Sequence, residues 1–331
     1  MKPHSVTNAD EVIKKVMDGE RDFKNTIIPK GGGYFFVCDG YTDMNEYLRS
    51  QDLDKNPIDI SGSEWQYVKA PGLYMPNLKA NDVKLLYSEF DGADLSGIEM
   101  HGSNMYRSRI VRALLNGAQI HNSDLREAVL DEIQAKGASF RGSNLRKTRI
   151  ETSCLEDTDF RDLRNFGKAI LWKANMARSN LEGTYFRKAE LRKAYMEGAK
   201  MKGANLEKAT CWRAYLGDAD MRETDCRNTD FTKADCRRID GRKVNFEGSM
   251  LRHANFWKAD LRESRFVRAN VDGADFRGAD IRGANFDDCV GIAYAIFGNT
   301  IVTDREIEII EEARKKIETF VKGEREDVQK T

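Results

Sequence analysis

No stretch of this chain stays apolar for the roughly 20 residues that a bilayer-crossing helix needs. Met1 to Glu20 also lacks the uninterrupted apolar segment of a secretory leader. Both absences point to a cytoplasmic protein without a membrane partner. Six cysteines (Cys38, Cys154, Cys211, Cys226, Cys236, Cys289) never form a C-x-x-C pair, which argues against a disulfide scaffold and for reduced, packed thiols. Histidine is scarce, with four residues in all, and no Ser-His-Asp set, paired-carboxylate motif or Walker-type loop stands out. Gly31-Gly32-Gly33 has no Lys-Ser/Thr after it, so it does not read as a phosphate loop. No excess of either charge sign exists, because 54 basic residues balance 54 acidic ones. No enzyme, metal or cofactor is expected from this inventory.

What the chain has is a word. "ADFRGADIRGANF", residues Ala274 to Phe286, repeats a small residue, then Asp or Asn, then a bulky apolar anchor, then two more positions. Steps of five from Leu85 land on Phe90, Leu95, Met100, Met105, Ile110, Leu115, Ile120, Leu125 and Leu130, and after Ala135 on Phe140, Leu145, Ile150, Leu155 and Phe160. The register slips by one residue within "RDLRNF" and resumes from Phe166 to Phe286, broken only by Gly241. Fainter copies run back through Ile60, Trp65, Ala70 and Met75. Neither the helical period of 3.6 nor the strand period of 2 explains a five-residue step. Two inward positions and a corner per word do, and four such sides close a coil of 20 residues.

The word resembles that of the pentapeptide-repeat family, A(D/N)LXX. The resemblance implies an all-β solenoid, a right-handed quadrilateral β-helix, here of about 11 coils over a length of roughly 55 Å at the inter-strand spacing. The domain reading is an N-terminal capping helix over 1–22, first repeat residues over 23–57 interrupted by an irregular insertion at 29–57, the repeat itself over 58–301, and a C-terminal helix and tail over 302–331. Within the insertion, a short strand is expected at Tyr34 to Val37 and a helical turn at Met44 to Leu48. A Thr303/Glu306 capping box opens the last helix, which aligns Ile307, Ile310, Ile317, Phe320 and Val321 on one face. That face can cover the end of the repeat or pair with a second chain as a homodimer.

Residues 20 apart become stacked neighbours, so the surface reads in columns. Lys202, Arg222, Arg242, Arg262 and Arg282 form one basic column, matched by Asp220, Asp240, Asp260 and Asp280 two residues earlier. These are expected to neutralise one another. A second side carries Trp172, Arg192, Trp212 and Arg252 beside Lys173, Lys193, Arg213 and Lys233, with the tryptophans bracketing Arg192 in a cation–π stack. Cations interleaved with exposed aromatics suit an acidic protein or a nucleic acid. His101 and His121 stack as a solvated pair. Residues 161–282 hold 27 basic and 18 acidic side chains, an asymmetry that concerns partners. The reading that follows is a non-enzymatic scaffold that binds an acidic macromolecule through the second side. The alternative implied by the family resemblance is a DNA mimic that modulates or protects DNA gyrase, which a chain of zero net charge suits poorly.

Overall fold

The computed structural model describes the backbone of residues 5–163 and 165–328. Arg164, inside the expected register slip, and the side chains of Ile317, Phe320 and Val321 lie outside the described residues. The chain divides into two compact units, Met1–Glu190 and Leu191–Thr331.

One word accounts for all of its own backbone donors, and Asp260 to Ser264 in the second unit serves as the example. The Asp260 N–H donates to Ile239 of the preceding coil at 2.9 Å, and the N–H groups of Leu261 and Glu263 donate to Asp280 and Arg282 of the next coil at 2.7 and 3.1 Å. Ser264 closes the corner by donating to the Leu261 carbonyl at 3.2 Å. The remaining donor, the Arg262 N–H, goes to Asp260 Oδ1 at 3.3 Å. The Asp or Asn of the word is therefore the acceptor for the one amide the ladder leaves over, and its short side chain is suited to that local bond. The second residue after each anchor takes a left-handed conformation, as with Lys233 at φ 58° and Gly278 at φ 67°. That is the corner geometry of a type II turn.

In the first unit, parallel bridges join residues 20 apart: Asp59 to Lys79, Glu64 to Lys84, Lys69 to Glu89 and Tyr74 to Asp94, after which the column returns with Lys79 to Glu99. Four sides thus make one coil. Two short strands, β1 (Ser5–Val6) and β2 (Thr26–Ile27), pair in parallel near the start, and β3 (Glu99–His101) pairs with β4 (Gln119–His121) farther on. The separation becomes 21 where Asn144 meets Asn165 and Arg149 meets Ile170, so the inserted residue is absorbed between Phe160 and Asn165. Helix α1 (Ala9–Met17) is capped by Asn8, which accepts the Glu11 N–H at 2.9 Å, and buries Val12, Ile13 and Val16.

The segment at 29–57 differs from expectation. Tyr34 makes one bridge to Lys69, and Phe35–Val37 form a 3-10 turn where a strand was anticipated. Phe35 must turn inward there, to lie 6.1 Å from Trp65 and 6.0 Å from Tyr41. The helical turn is longer than its sequence signal, as α2 (Tyr41–Arg49), with Met44 and Leu48 fully buried. Asn45 Oδ1 accepts the Tyr74 N–H at 2.9 Å, so a side-chain amide supplies the acceptor that a preceding coil provides elsewhere.

The second unit has its own ladder of bridges 20 or 21 residues apart, from Tyr195 and Tyr215 to Asp280 and Ile301. Its interior holds two phenylalanine columns. Phe246, Phe266 and Phe286 stack at 5.1 and 4.6 Å, Phe256, Phe276 and Phe297 at 5.2 Å each, and the columns meet edge to face, as Phe266 and Phe276 do at 85°. Both arrangements satisfy the ring quadrupole. Helix α3 (Asp304–Val328) opens on Glu306, which is buried and accepts the N–H groups of Thr303 at 2.6 Å and Gly283 at 3.1 Å. Ile310 is buried, but Ile307 is 40% exposed, so the inward face of α3 is led by Glu306 and not by Ile307 as the apolar spacing suggested.

Where an anchor is small, the residue two positions earlier is large and buried: Val68 with Ala70, Leu78 with Ala80, Ile133 with Ala135, and Ile239 with Gly241. A Cβ on Gly241 would lie 2.9 Å from Leu261 Cδ2 and 3.3 Å from Ile239 Cδ1. The two inward positions of a word share one volume. Accordingly, Ile239→Ala should cost about 2–5 kcal/mol through the cavity it leaves, and Gly241→Leu about 1–3 kcal/mol through overpacking. Chemical denaturation of the Ile239→Ala/Gly241→Leu double variant should recover most of both losses. Additive losses would contradict the shared-volume account.

Candidate binding surface

Two sides of the second unit carry basic columns, and their arginines and lysines behave differently. On the first, each arginine is held by the aspartate two residues before it. Arg222, Arg242, Arg262 and Arg282 meet Asp220, Asp240, Asp260 and Asp280 at 2.5, 2.7, 2.6 and 2.6 Å. Each contact uses Nε and Nη2 together, as in Arg262 with Asp260 at 2.8 and 2.6 Å, which is the planar fork that suits a carboxylate. Nε of Arg222, Arg242 and Arg262 also faces the next aspartate at 3.5–3.6 Å. Hydrogen bonding from Arg222 and Arg262 holds the Asp220 and Asp260 carboxyls below their ordinary range, against the opposing effect of burial. Lys202 reaches Glu223 at 3.8 Å. This side is a closed zipper of charge with little left to offer a ligand.

The other side carries Arg192, Lys193, Trp212, Arg213, Lys233 and Arg252. Bridges from Thr210 to Asp230 and from Asp230 to Met250 stack these coils in register. Lys193 Nζ lies 5.6 Å and Arg213 Cζ 4.5 Å from the centre of the Trp212 ring, so two cations hold one indole. Lys193, Arg213 and Lys233 occupy the left-handed corner positions, at φ 54°, 54° and 58°, which aims them off the edge of the ladder. None of the three forms an ion pair among the described residues. Arg252 differs, because it reaches Asp272 at 3.3 Å. Arg192 is exposed. The remaining two expected residues belong to the first unit, where Trp172 is 40% exposed and Lys173 Nζ sits 4.6 Å from the centre of its ring.

Other polar groups are accounted for by packing. Cys211, Cys226 and Cys236 are buried, and burial drives all three thiols far above their ordinary range. No cluster of three or more metal-binding side chains occurs among the described residues. No helix among them is long and apolar enough to cross a membrane. In the first unit Tyr67 stacks on Tyr87 at 5.1 Å, and Tyr106 meets Tyr87 edge to face at 5.9 Å. The sequence columns contain these tyrosines, but the substitution of Tyr106 one position earlier in the word hides their contact.

Residues 123–162, 165–203, 199–235, 219–258, 242–266 and 258–290, together about half of the chain, match in eight copies a family model described as Pentapeptide repeats. Among solved structures the chain is similar to HetL, a pentapeptide repeat protein involved in heterocyst differentiation regulation from the cyanobacterium Nostoc sp. strain PCC 7120, at 21% identity over 72% of this chain and 91% of that one, with a TM-score of 0.22. It is also similar to full-length QnrB1, a plasmid-mediated fluoroquinolone resistance protein, at 16% identity over 76% and 98%, with a TM-score of 0.23. No curated protein matches the chain significantly.

His101 and His121 meet edge to face, not stacked, with ring centres 4.8 Å apart and an interplanar angle of 62° in the first unit, and His121 Nε2 contacts Ser139 Oγ at 2.8 Å. Burial, then the neighbouring His101 and Arg141, pull the His121 pKa below 6.5, with Asp159 opposing. The folded state therefore favours neutral His121. Its stabilising contribution is complete above pH 6.5 and is lost as pH falls through the lowered folded value. Unfolding midpoints measured across pH 7 to 5 should fall in the native chain and fall less in His121→Gln.

Proposed function

Because the chain belongs to the pentapeptide-repeat family and folds as its right-handed β-helix solenoid, we propose that it is a non-enzymatic scaffold whose basic-aromatic side docks an acidic protein. The finer architecture belongs to the same proposal: a quadrilateral rod of about 11 coils, bounded by α1 and α3 as caps, with domain limits at 22, 57 and 301. A rigid repeat presents residues at fixed intervals and offers no deep cleft for catalysis.

The observation that carries the reading is the contrast between two sides of one unit. One side pairs every arginine with an aspartate, whereas Lys193 and Arg213 against Trp212, and Lys233 one coil on, form no ion pair among the described residues. Uncompensated cations spaced one coil apart, ~4.8 Å, suit the side chains of an acidic segment lying along the ladder. Trp212 supplies apolar area of the kind that anchors interfaces. Trp172 and Lys173 offer the same pairing within the first unit. The gyrase-mimic alternative needs free carboxylates, and the aspartates of the zippered column are occupied by arginine.

Binding of poly-glutamate to the full chain should weaken steeply with salt. Lys193→Gln/Arg213→Gln/Lys233→Gln should lower affinity at least tenfold with little change in unfolding midpoint, since exposed charges contribute little to folding. Undiminished binding by the triple variant would refute the assignment of this side.

A further inference from the structure

The tyrosine-bearing side of the first unit changes character along its length. As far as the coil of Arg126 the arginines have acids: Arg107 shares Glu127 with Lys147 of the next coil, at 2.8 and 3.0 Å, and Arg126 holds Asp124 at 2.6 Å. Beyond that point the acids stop. The positions directly before the next anchors are Asn144, Asn165 and Tyr185, and Arg146, Lys168 and Lys188 form no ion pair among the described residues. All three are exposed, and Tyr185 is 38% exposed beside them.

The coil between Arg146 and Arg187 has glycine at the matching position. Gly167 is buried, and its N–H donates to Asn165 Oδ1 at 2.5 Å. A Cβ there would lie 2.6 Å from Asn165 Oδ1 and 3.3 Å from the Arg187 carbonyl oxygen. The missing side chain leaves a depression of about 370 Å³ lined by Arg146, Asn165, Gly167, Lys168, Tyr185, Arg187 and Lys188. Its floor is backbone and its rim is cationic. The ladder fixes that floor, since Lys147 donates to Gly167 at 3.2 Å and Lys168 to Arg187 at 3.1 Å.

We propose that this depression binds a compact phosphate-bearing ligand of the nucleoside diphosphate class. The Arg146 guanidinium presents a planar fork to phosphate oxygens, and Lys168 and Lys188 add point charges. The two lysines stand one coil apart, ~4.8 Å, the span of two linked phosphates. Tyr185 offers an aromatic face to a base, a contact that tolerates any base. The acid-paired coils beginning at Glu127 end the cationic run on one side, which favours a short ligand over a polymer. The depression shares no residue with the side proposed above to dock an acidic protein, so either reading can fail alone.

Titration calorimetry of the full chain at low salt, without divalent metal, tests this with ADP, pyrophosphate, adenosine and a single-stranded oligonucleotide. ADP should bind more tightly than pyrophosphate, and adenosine least. Arg146→Gln/Lys168→Gln should weaken ADP at least tenfold with an unchanged unfolding midpoint, and Tyr185→Ala should erase the advantage of ADP over pyrophosphate. The Lys193→Gln/Arg213→Gln/Lys233→Gln variant should keep full ADP affinity. Equal ADP affinity in the Arg146/Lys168 double variant would overturn the proposal, as would an oligonucleotide that binds far more tightly than ADP.

Discussion

One residue in each five-residue word must take a left-handed backbone conformation, and the rest of the structure depends on it. Lys173, Lys193, Arg213, Lys233 and Glu263 all sit at φ between 54° and 59°. An L-residue pays on the order of 1–2 kcal/mol for that conformation. The cost is accepted because the corner turns the chain so that each segment bonds to the coils before and after it. Long cations at those corners project away from the ladder. The same geometry that closes the coil therefore distributes the charged surface, and it places Lys193, Arg213 and Lys233 where carboxylates of their own coil do not reach them.

Inside, the constraint becomes one of volume. Each word offers two inward positions, and the pairs Ile239 with Gly241 and Ile133 with Ala135 show that the chain can exchange large and small between them while the interior stays filled. Hydroxyls fit the same scheme. Thr224 and Thr229, buried two positions before their anchors, donate to the carbonyls of Met201 and Leu206 in the preceding coil at 3.1 and 2.6 Å. A polar inward residue is thus satisfied by the ladder itself.

Much of this was legible in the residues. The five-residue step, the slip before Phe166 and the Thr303/Glu306 capping box are spelled out in the chain, because each rests on spacing within one or two words. The zipper from Asp220 to Arg282 was legible as well, since both partners lie two residues apart. Contacts set by more distant geometry were not. Phe35 turns inward only because Trp65 and Tyr41 flank it, so Tyr34 to Val37 read as a strand. Ile307 looks apolar and inward by spacing, yet Glu306 takes the inner face because Gly283 offers an N–H. The cationic depression around Gly167 stayed hidden because the one-residue slip moves its lining out of the 20-residue columns, and only the 21-residue bridge from Asn144 to Asn165 realigns them.

The corner residue offers the most direct test of this account. Urea unfolding of Lys233→Gly and Lys233→Val, beside Arg242→Gly at a position just after an anchor, separates the backbone effect from loss of a side chain. The account predicts that Lys233→Gly is at least as stable as the native chain, that Lys233→Val loses about 1 kcal/mol or more, and that Arg242→Gly is destabilised. If glycine destabilises both positions alike, and valine at Lys233 is tolerated as well as glycine, the left-handed corner is not the constraint on which the fold rests.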